Sequence, residues 1–202
     1  MGHSEHQEWI NVQSQDGVNL HVRTRSRAVD TPVALLLHGL GVGSGYWDMP
    51  VDGYNTMDYL ASRGVATYAV DHRGYGRSGS APGETLTVPT AVKDIEPVIE
   101  VIEERHPGQP LSLVGHSWGG MVASAIAGRD PQRYSSLVCI GTPFRRINPA
   151  FAERLPYLRA IAEPVDGWLP NVTHLGLDQL LHAFEPEVLE AYQSLVAGEY
   201  PR

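Results

Sequence analysis

Gly115-His116-Ser117-Trp118-Gly119-Gly120 follows directly on the apolar run Leu111-Ser112-Leu113-Val114. The pattern reads as a strand, a sharp turn that bears a serine, and a helix whose first turn is nearly bare of side chains. Glycines two before and two after Ser117 leave room for a strained turn that lifts the hydroxyl clear of the backbone. A serine hydroxyl is a weak nucleophile, so such a turn is useful only beside a base and an anion-stabilising pocket. The chemistry indicated is acyl transfer through a covalent serine intermediate. The competing reading is a glycine-rich turn of an α/β domain with an incidental serine.

A second glycine-rich stretch, His38-Gly39-Leu40-Gly41-Val42-Gly43-Ser44-Gly45, ends the first strand of the parallel type. Dinucleotide binding requires the spacing G-x-G-x-x-G, which these glycines do not supply. Asp71 also stands too far on to hold a ribose. The alternative is a loop whose backbone N–H groups face the serine. Where a serine on such a turn attacks a carbonyl, one N–H of this loop and one from the residue after the nucleophile hold the oxyanion. Here those donors would be the N–H groups of Leu40 and Trp118.

A third stretch, Asp71-His72-Arg73-Gly74-Tyr75-Gly76-Arg77-Ser78, follows the next strand. Asp71 or His72 could be catalytic. The structural alternative, in which Asp71 and Arg73 or Arg77 fix the loop by hydrogen bonds, is favoured. Among nine histidines, His3 and His6 lie near the start and His174 and His182 lack a carboxylate-rich partner motif. Neither an H-E-x-x-H motif nor a cysteine-based site is present, so no metal is expected.

The elements that must position these residues follow from hydrophobic patterning. Alternating Glu8–Ser14 and Val18–Thr24 around Gln15-Asp16-Gly17 predict an antiparallel hairpin. Val33–Leu37, Val65–Val70, Leu111–Val114 and Ser136–Ile140 are short continuous apolar runs, as expected of strands covered on both faces. Helices are predicted near Thr56–Ser62, Val88–Arg105 and Met121–Ala127, with Pro97 expected to kink the second or divide it in two. The alternation implies an α/β fold with a doubly wound, mainly parallel sheet and an antiparallel N-terminal edge. After Pro143 the texture changes, and residues 149–200 carry short helical patches between prolines. Residues 1–145 are therefore expected to form the core, and 146–202 a helical cap over the sheet.

The chain has 202 residues, 42% hydrophobic and 19% charged, with a net charge of −8. These values suit one folded domain and disfavour nucleic acid or an anionic membrane as partners. The start lacks a secretory pattern, and His6 breaks the myristoylation pattern. No apolar run is long enough for a membrane span. The single cysteine, Cys139, is expected as a buried strand thiol. A cytoplasmic protein is expected.

The order and spacing of His38-Gly39, Asp71 to Ser78, and Gly115 to Gly120 resemble the α/β-hydrolase superfamily over residues 8–145. Within it the chain is most similar to serine hydrolases of the lysophospholipase, esterase and proline-iminopeptidase-like group. The resemblance implies that Ser117 is the nucleophile and that an ester, thioester or amide of a small acyl substrate is cleaved, without a cofactor. Epoxide hydrolases and haloalkane dehalogenases carry an aspartate at the nucleophile position, so Ser117 argues against both. The resemblance also implies an acid and then a histidine after the cap, where this sequence has none. His174 or His182 with Asp166 or Asp178 are the internal substitutes. The expectation is instead that a complementing polypeptide, or a C-terminal segment outside this chain, supplies both. Trp47, Trp118 and Phe144 are candidate apolar lining for the pocket, with a plain core role as the alternative. A non-catalytic binding or assembly subunit is the rival function.

Overall fold

The computed structural model describes residues 6–26, 28–81, 86–142, 186–188, 190, 191 and 194. The N-terminal alternation forms a hairpin of β1 (His6–Gln13) and β2 (Asn19–Ser26), paired antiparallel with Ile10 opposite Val22. Gly17 takes φ +85° at its turn, a conformation that glycine adopts without strain. The Ser14 hydroxyl accepts the Val18 N–H at 2.8 Å.

β2 pairs antiparallel with β4 (Ala66–Val70), and β4 runs parallel to β3 (Val33–Leu37). β3 runs parallel to β5 (Leu111–His116), and β5 to β6 (Ser136–Ile140), giving the order β1-β2-β4-β3-β5-β6. The chain moves outward from β3 to β4, then returns past it to β5, which marks a topological switch point at β3.

Because side chains alternate along a strand, β3 feeds two cores. Leu35 and Leu37 pack with Ile95, Ile99 and Ile102 of α2 (Val88–Arg105) and Val122 and Ile126 of α3 (Trp118–Arg129). Ala34 and Leu36 pack on the other face with Trp47, Ala69 and Met57 of α1 (Thr56–Ala61). Helices thus cover both faces, and the expected doubly wound architecture is present.

Three expectations need correction. α2 runs unbroken for 18 residues through Pro97, which corrects the expected division into two helices. Its buried stripe, Ala91, Ile95, Val98, Ile99 and Ile102, holds it on the sheet, and the carbonyl that Pro97 frees belongs to the exposed Lys93. α3 begins at Trp118, immediately after the serine, because its glycines form the first helical turn rather than a lead-in loop. Cys139 is half-buried rather than buried, since its strand β6 is the outer edge and leaves Leu137, Val138 and Ile140 at 42%, 44% and 45% exposure. The expected cap lies largely outside the described residues. Of its described positions, Val188 is 4% exposed and joins the larger core.

Candidate active site

Parallel pairing of β3 with β5 sets Leu37 opposite Gly115, so the loops after both strands leave the same edge of the sheet. Ser117 stands at the second exit with φ +50° and ψ −117°, the one non-glycine residue at positive φ among those described. Such a conformation costs on the order of 1–3 kcal/mol and persists only where the surroundings enforce it. The enforcement is visible. Ser117 N–H donates to Ile140 O at 2.8 Å, and its carbonyl accepts Gly120 N–H at 3.1 Å. A side chain on Gly115 would overlap the backbone of Gly119 and Gly120, and one on Gly119 would overlap the carbonyls of Leu37 and His38. The glycines of the motif therefore let β5, the turn and α3 approach one another. The Ser117 residue is half-buried, and its hydroxyl makes no hydrogen bond to another described residue.

The loop after β3 lies against this turn. A Cβ on Gly39 would come 3.1 Å from Ser117 Cβ and 3.0 Å from His116 Nδ1. Next in sequence, Leu40 is half-buried, and its N–H has no acceptor among the described residues. The Trp118 N–H, first in α3, also lacks one, as helix N-termini leave such donors free. Gly41 N–H donates to the Tyr75 hydroxyl at 3.2 Å, and Ser44 N–H donates to Asp71 Oδ1 at 2.6 Å, tying the loop to the stretch after β4. Burial raises the pKa of the Tyr75 hydroxyl.

Asp71 is fully buried. Its Oδ2 accepts Arg77 N–H at 3.0 Å, and its carbonyl accepts the Ser78 hydroxyl. Arg73, 4% exposed, donates through Nε to Asp94 at 2.7 Å and through an η nitrogen to Asp16 at 2.8 Å. Both residues fix the loop, as the structural alternative held, although through different partners rather than through each other. The Arg77 guanidinium instead stacks 5.0 Å from the Trp9 ring centre.

Three histidines lie in the segments that form this edge of the sheet. His38 Nε2 accepts His72 N–H at 3.1 Å while Nδ1 lies 2.7 Å from Gly39 O. Complete burial pushes the His38 pKa down to about 4, and desolvation also pushes His72 well below its ordinary value. His72 is buried with both ring nitrogens unpartnered among the described residues, edge-on to His38 at 4.5 Å and to Trp118 at 5.0 Å. His116, half-buried, stacks on Tyr46 at 4.8 Å, and desolvation lowers its pKa. No imidazole among the described residues hydrogen-bonds Ser117.

Trp47, expected as pocket lining, is 3% exposed and packed among Ala34, Leu36, Met57 and Ala69. Phe144, His174, His182, Asp166 and Asp178 lie outside the described residues. Sequence reasoning missed the contacts of His38 and His72 and the Tyr46–His116 stack. It also missed a buried charge cluster in which Arg23 and Arg25 both reach Asp48 and Arg25 reaches Asp58. No local signal announces contacts between residues 23 to 70 positions apart. Among the described residues no group of three or more His, Cys, Asp or Glu could hold a metal ion, and no helix is long and apolar enough to cross a membrane.

The family described as serine aminopeptidase, S33, matches residues 30–194. A monoacylglycerol lipase of Mycolicibacterium smegmatis is 28% identical over 162 residues, 80% of this chain and 54% of that protein. The monoglyceride lipase of Mus musculus is 30% identical over 169 residues, 81% of this chain and 52% of that protein. The chain thus spans about half the length of these relatives. An epoxide hydrolase from Vigna radiata is similar in structure, with a TM-score of 0.59 and 28% identity, over 80% of this chain and 48% of that one. With a serine on the strained turn between β5 and α3 and the family match spanning both strands of the site, the chain belongs to the serine aminopeptidase S33 family of α/β-hydrolases.

Proposed function

We propose that this chain is the nucleophile-bearing part of a serine hydrolase that cleaves a small-molecule acyl ester, with thioesters and amides as the related substrates. Residues 1–145 would form its core and 146–202 its cap. The observation that carries the reading is Ser117 at φ +50°, its hydroxyl unpartnered among the described residues, on the same sheet edge as the loop that carries Leu40. In the reaction the Ser117 oxygen attacks the substrate carbonyl as a base takes its proton. The developing oxyanion accepts from the two N–H groups, and collapse expels the alcohol to leave an acyl-serine. Water then attacks the acyl carbon and restores the serine. Phe144 and Trp118 would line the acyl site, and Trp47 would back it. The relatives named as monoacylglycerol lipases favour a carboxylic ester over an amide. Ser117 in place of an aspartate favours acyl transfer over the epoxide opening named for the structural relative.

The proposal includes an acid and a histidine supplied from outside this chain, by a C-terminal segment or a complementing polypeptide. Two facts support this: no described histidine hydrogen-bonds Ser117, and the matches span only 54% and 52% of two relatives. His38 cannot serve, because both of its ring nitrogens are engaged. The cytoplasm is its proposed compartment, where the single free Cys139 stays reduced. A fluorophosphonate probe tests the reading. In the presence of the complementing segment, labelling is expected on Ser117 and is expected to vanish in Ser117→Ala. Without that segment the rate should fall about 10⁴-fold or more, the cost of losing a triad member. If the assembled protein stays unlabelled, the rival reading of a binding or assembly subunit that kept the turn takes its place.

A further inference from the structure

We propose that the His72 ring locks the Trp118 indole into a fixed wall on the acyl side of Ser117. The site then takes straight-chain acyl groups and rejects those branched at the carbon next to the carbonyl; the inference rests on the serine-hydrolase reading above. Trp118 follows the nucleophile directly and opens α3. Side chains of a helix lean toward its N-terminus, so the indole points back over the turn toward the sheet edge that carries Ser117. There it meets His72 edge to face, at 86° with ring centres 5.0 Å apart. His72 lies just after β4 and Trp118 just after β5, and β3 runs between these strands in the sheet. The indole therefore reaches across the end of β3 toward β4, away from β6.

The wall cannot recede. His72 is 1% exposed, and behind it the fully buried rings of His38 and Tyr75 continue the packing at centre distances of 4.5 Å and 5.1 Å. A close-packed interior leaves the indole no room to swing inward. Trp118 is the half-buried end of this row of rings, and so the part that a substrate meets. Neither ring nitrogen of His72 has a hydrogen-bond partner among the described residues, so the ring supports Trp118 by its shape.

Sheet order decides which half of the substrate faces the wall. The leaving alcohol must stand next to the base that returns its proton, and in the reading above that base comes from further chain. Among the described residues the sheet ends at β6, one strand from β5, and at β1, four strands away. A base entering from the β6 side draws the alcohol there and leaves the acyl group on the β3 and β4 side, against the indole. A carbonyl oxygen held by the Trp118 N–H lies about 2.9 Å from that nitrogen. The carbon next to that carbonyl then comes within contact of the same residue's side chain, and a methyl branch on it has to displace the indole.

The complete protein, with its complementing segment, tests this with p-nitrophenyl esters of butanoic and 2-methylpropanoic acid, each rate divided by that of the same ester with hydroxide. Wild type should favour butanoate in kcat/KM by about 10-fold or more, the usual discrimination for one misplaced carbon. Trp118→Ala and His72→Ala should each reduce that preference to about twofold or less, although His72 itself does not reach the substrate. His72→Phe keeps a ring of similar volume and should hold the wild-type preference within about twofold. The preference between propyl and isopropyl butanoate, which differ in the alcohol, should not follow these changes. A wild type without the acyl preference, a His72→Ala protein that retains it, or a shift in the alcohol preference instead overturns the wall. If His72→Ala misfolds, the wild-type and His72→Phe ratios carry the test, since neither leaves a cavity, and loss of the preference in His72→Phe overturns the proposal. Wild type that fails to label with a fluorophosphonate at Ser117 overturns the serine-hydrolase reading instead.

Discussion

A buried histidine beside a nucleophile invites assignment as its base, yet here burial argues the other way. His38 and His72 are both held neutral by desolvation, with His38 pushed down to about 4. The unfolded chain binds these protons near pH 6.5 and the folded chain does not, so the unfolded state takes up more protons between pH 6.5 and 4. Stability must therefore rise with pH across that window and fall on acidification. For His38 alone the loss is on the order of 3 kcal/mol once pH 4 is reached. His21 and His116, also lowered by desolvation, add in the same direction. Urea midpoints should drop steadily from pH 6.5 to pH 5, before most carboxylates protonate. A flat profile over that range would show that these rings are hydrated or paired in solution.

At the scale of elements, the strand–turn–helix unit depends on backbone proximity, and its glycines are not equivalent. A methyl group at Gly119 would meet the Leu37 and His38 carbonyls, which cannot move without shifting β3 and the loop after it. One at Gly120 would meet the Thr142 hydroxyl, which can rotate away, and Thr142 Cβ at 2.9 Å, which must give slightly. Gly119→Ala is expected to cost about 3 kcal/mol, at the upper end for overpacking, and Gly120→Ala about 1 kcal/mol. Thermal denaturation of the two variants checks the order. The unit was legible in sequence because its strand, serine and glycines lie within ten consecutive residues, although its contacts with Leu37, His38 and Ile140 were not. Strands β3 and β6 were legible to the residue for a related reason: covered or pairing strands leave continuous apolar runs. Pro97 misled because proline chemistry is local, whereas the docking of Ile95, Ile99 and Ile102 that keeps α2 whole is not. The Arg73–Asp94 and Arg25–Asp48 pairs were illegible for the same cause. Each joins residues more than twenty positions apart. Composition cannot say which charges meet.

Among the described residues one side of the sheet ends at β6. There β6 pairs with β5 alone, and Leu137, Val138 and Ile140 stand exposed at the sheet edge. Such an edge is a template for pairing with another chain. The chain by itself should self-associate with rising concentration, and Val138→Lys should suppress this, since an edge lysine resists pairing. Light scattering or sedimentation measures both. Equal association in the two proteins would show that the edge is covered in solution or that another surface drives assembly. The continuation proposed above would lie on this side, since the matches span 54% and 52% of two relatives and β6 lies beside the strand that leads to the serine.

If the proposed oxyanion site holds, the rung that pairs Leu37 with Gly115 sets a counting rule for it. Leu40 and Trp118 each stand three positions beyond it, one on either side. Losing or gaining a single amino acid between the rung and either position would displace one amide by roughly a strand step, about 3.3 Å. That exceeds the few tenths of an ångström separating a good hydrogen bond from none. Surface loops elsewhere in the molecule can drift in length across descendants, but these two are bound to integers.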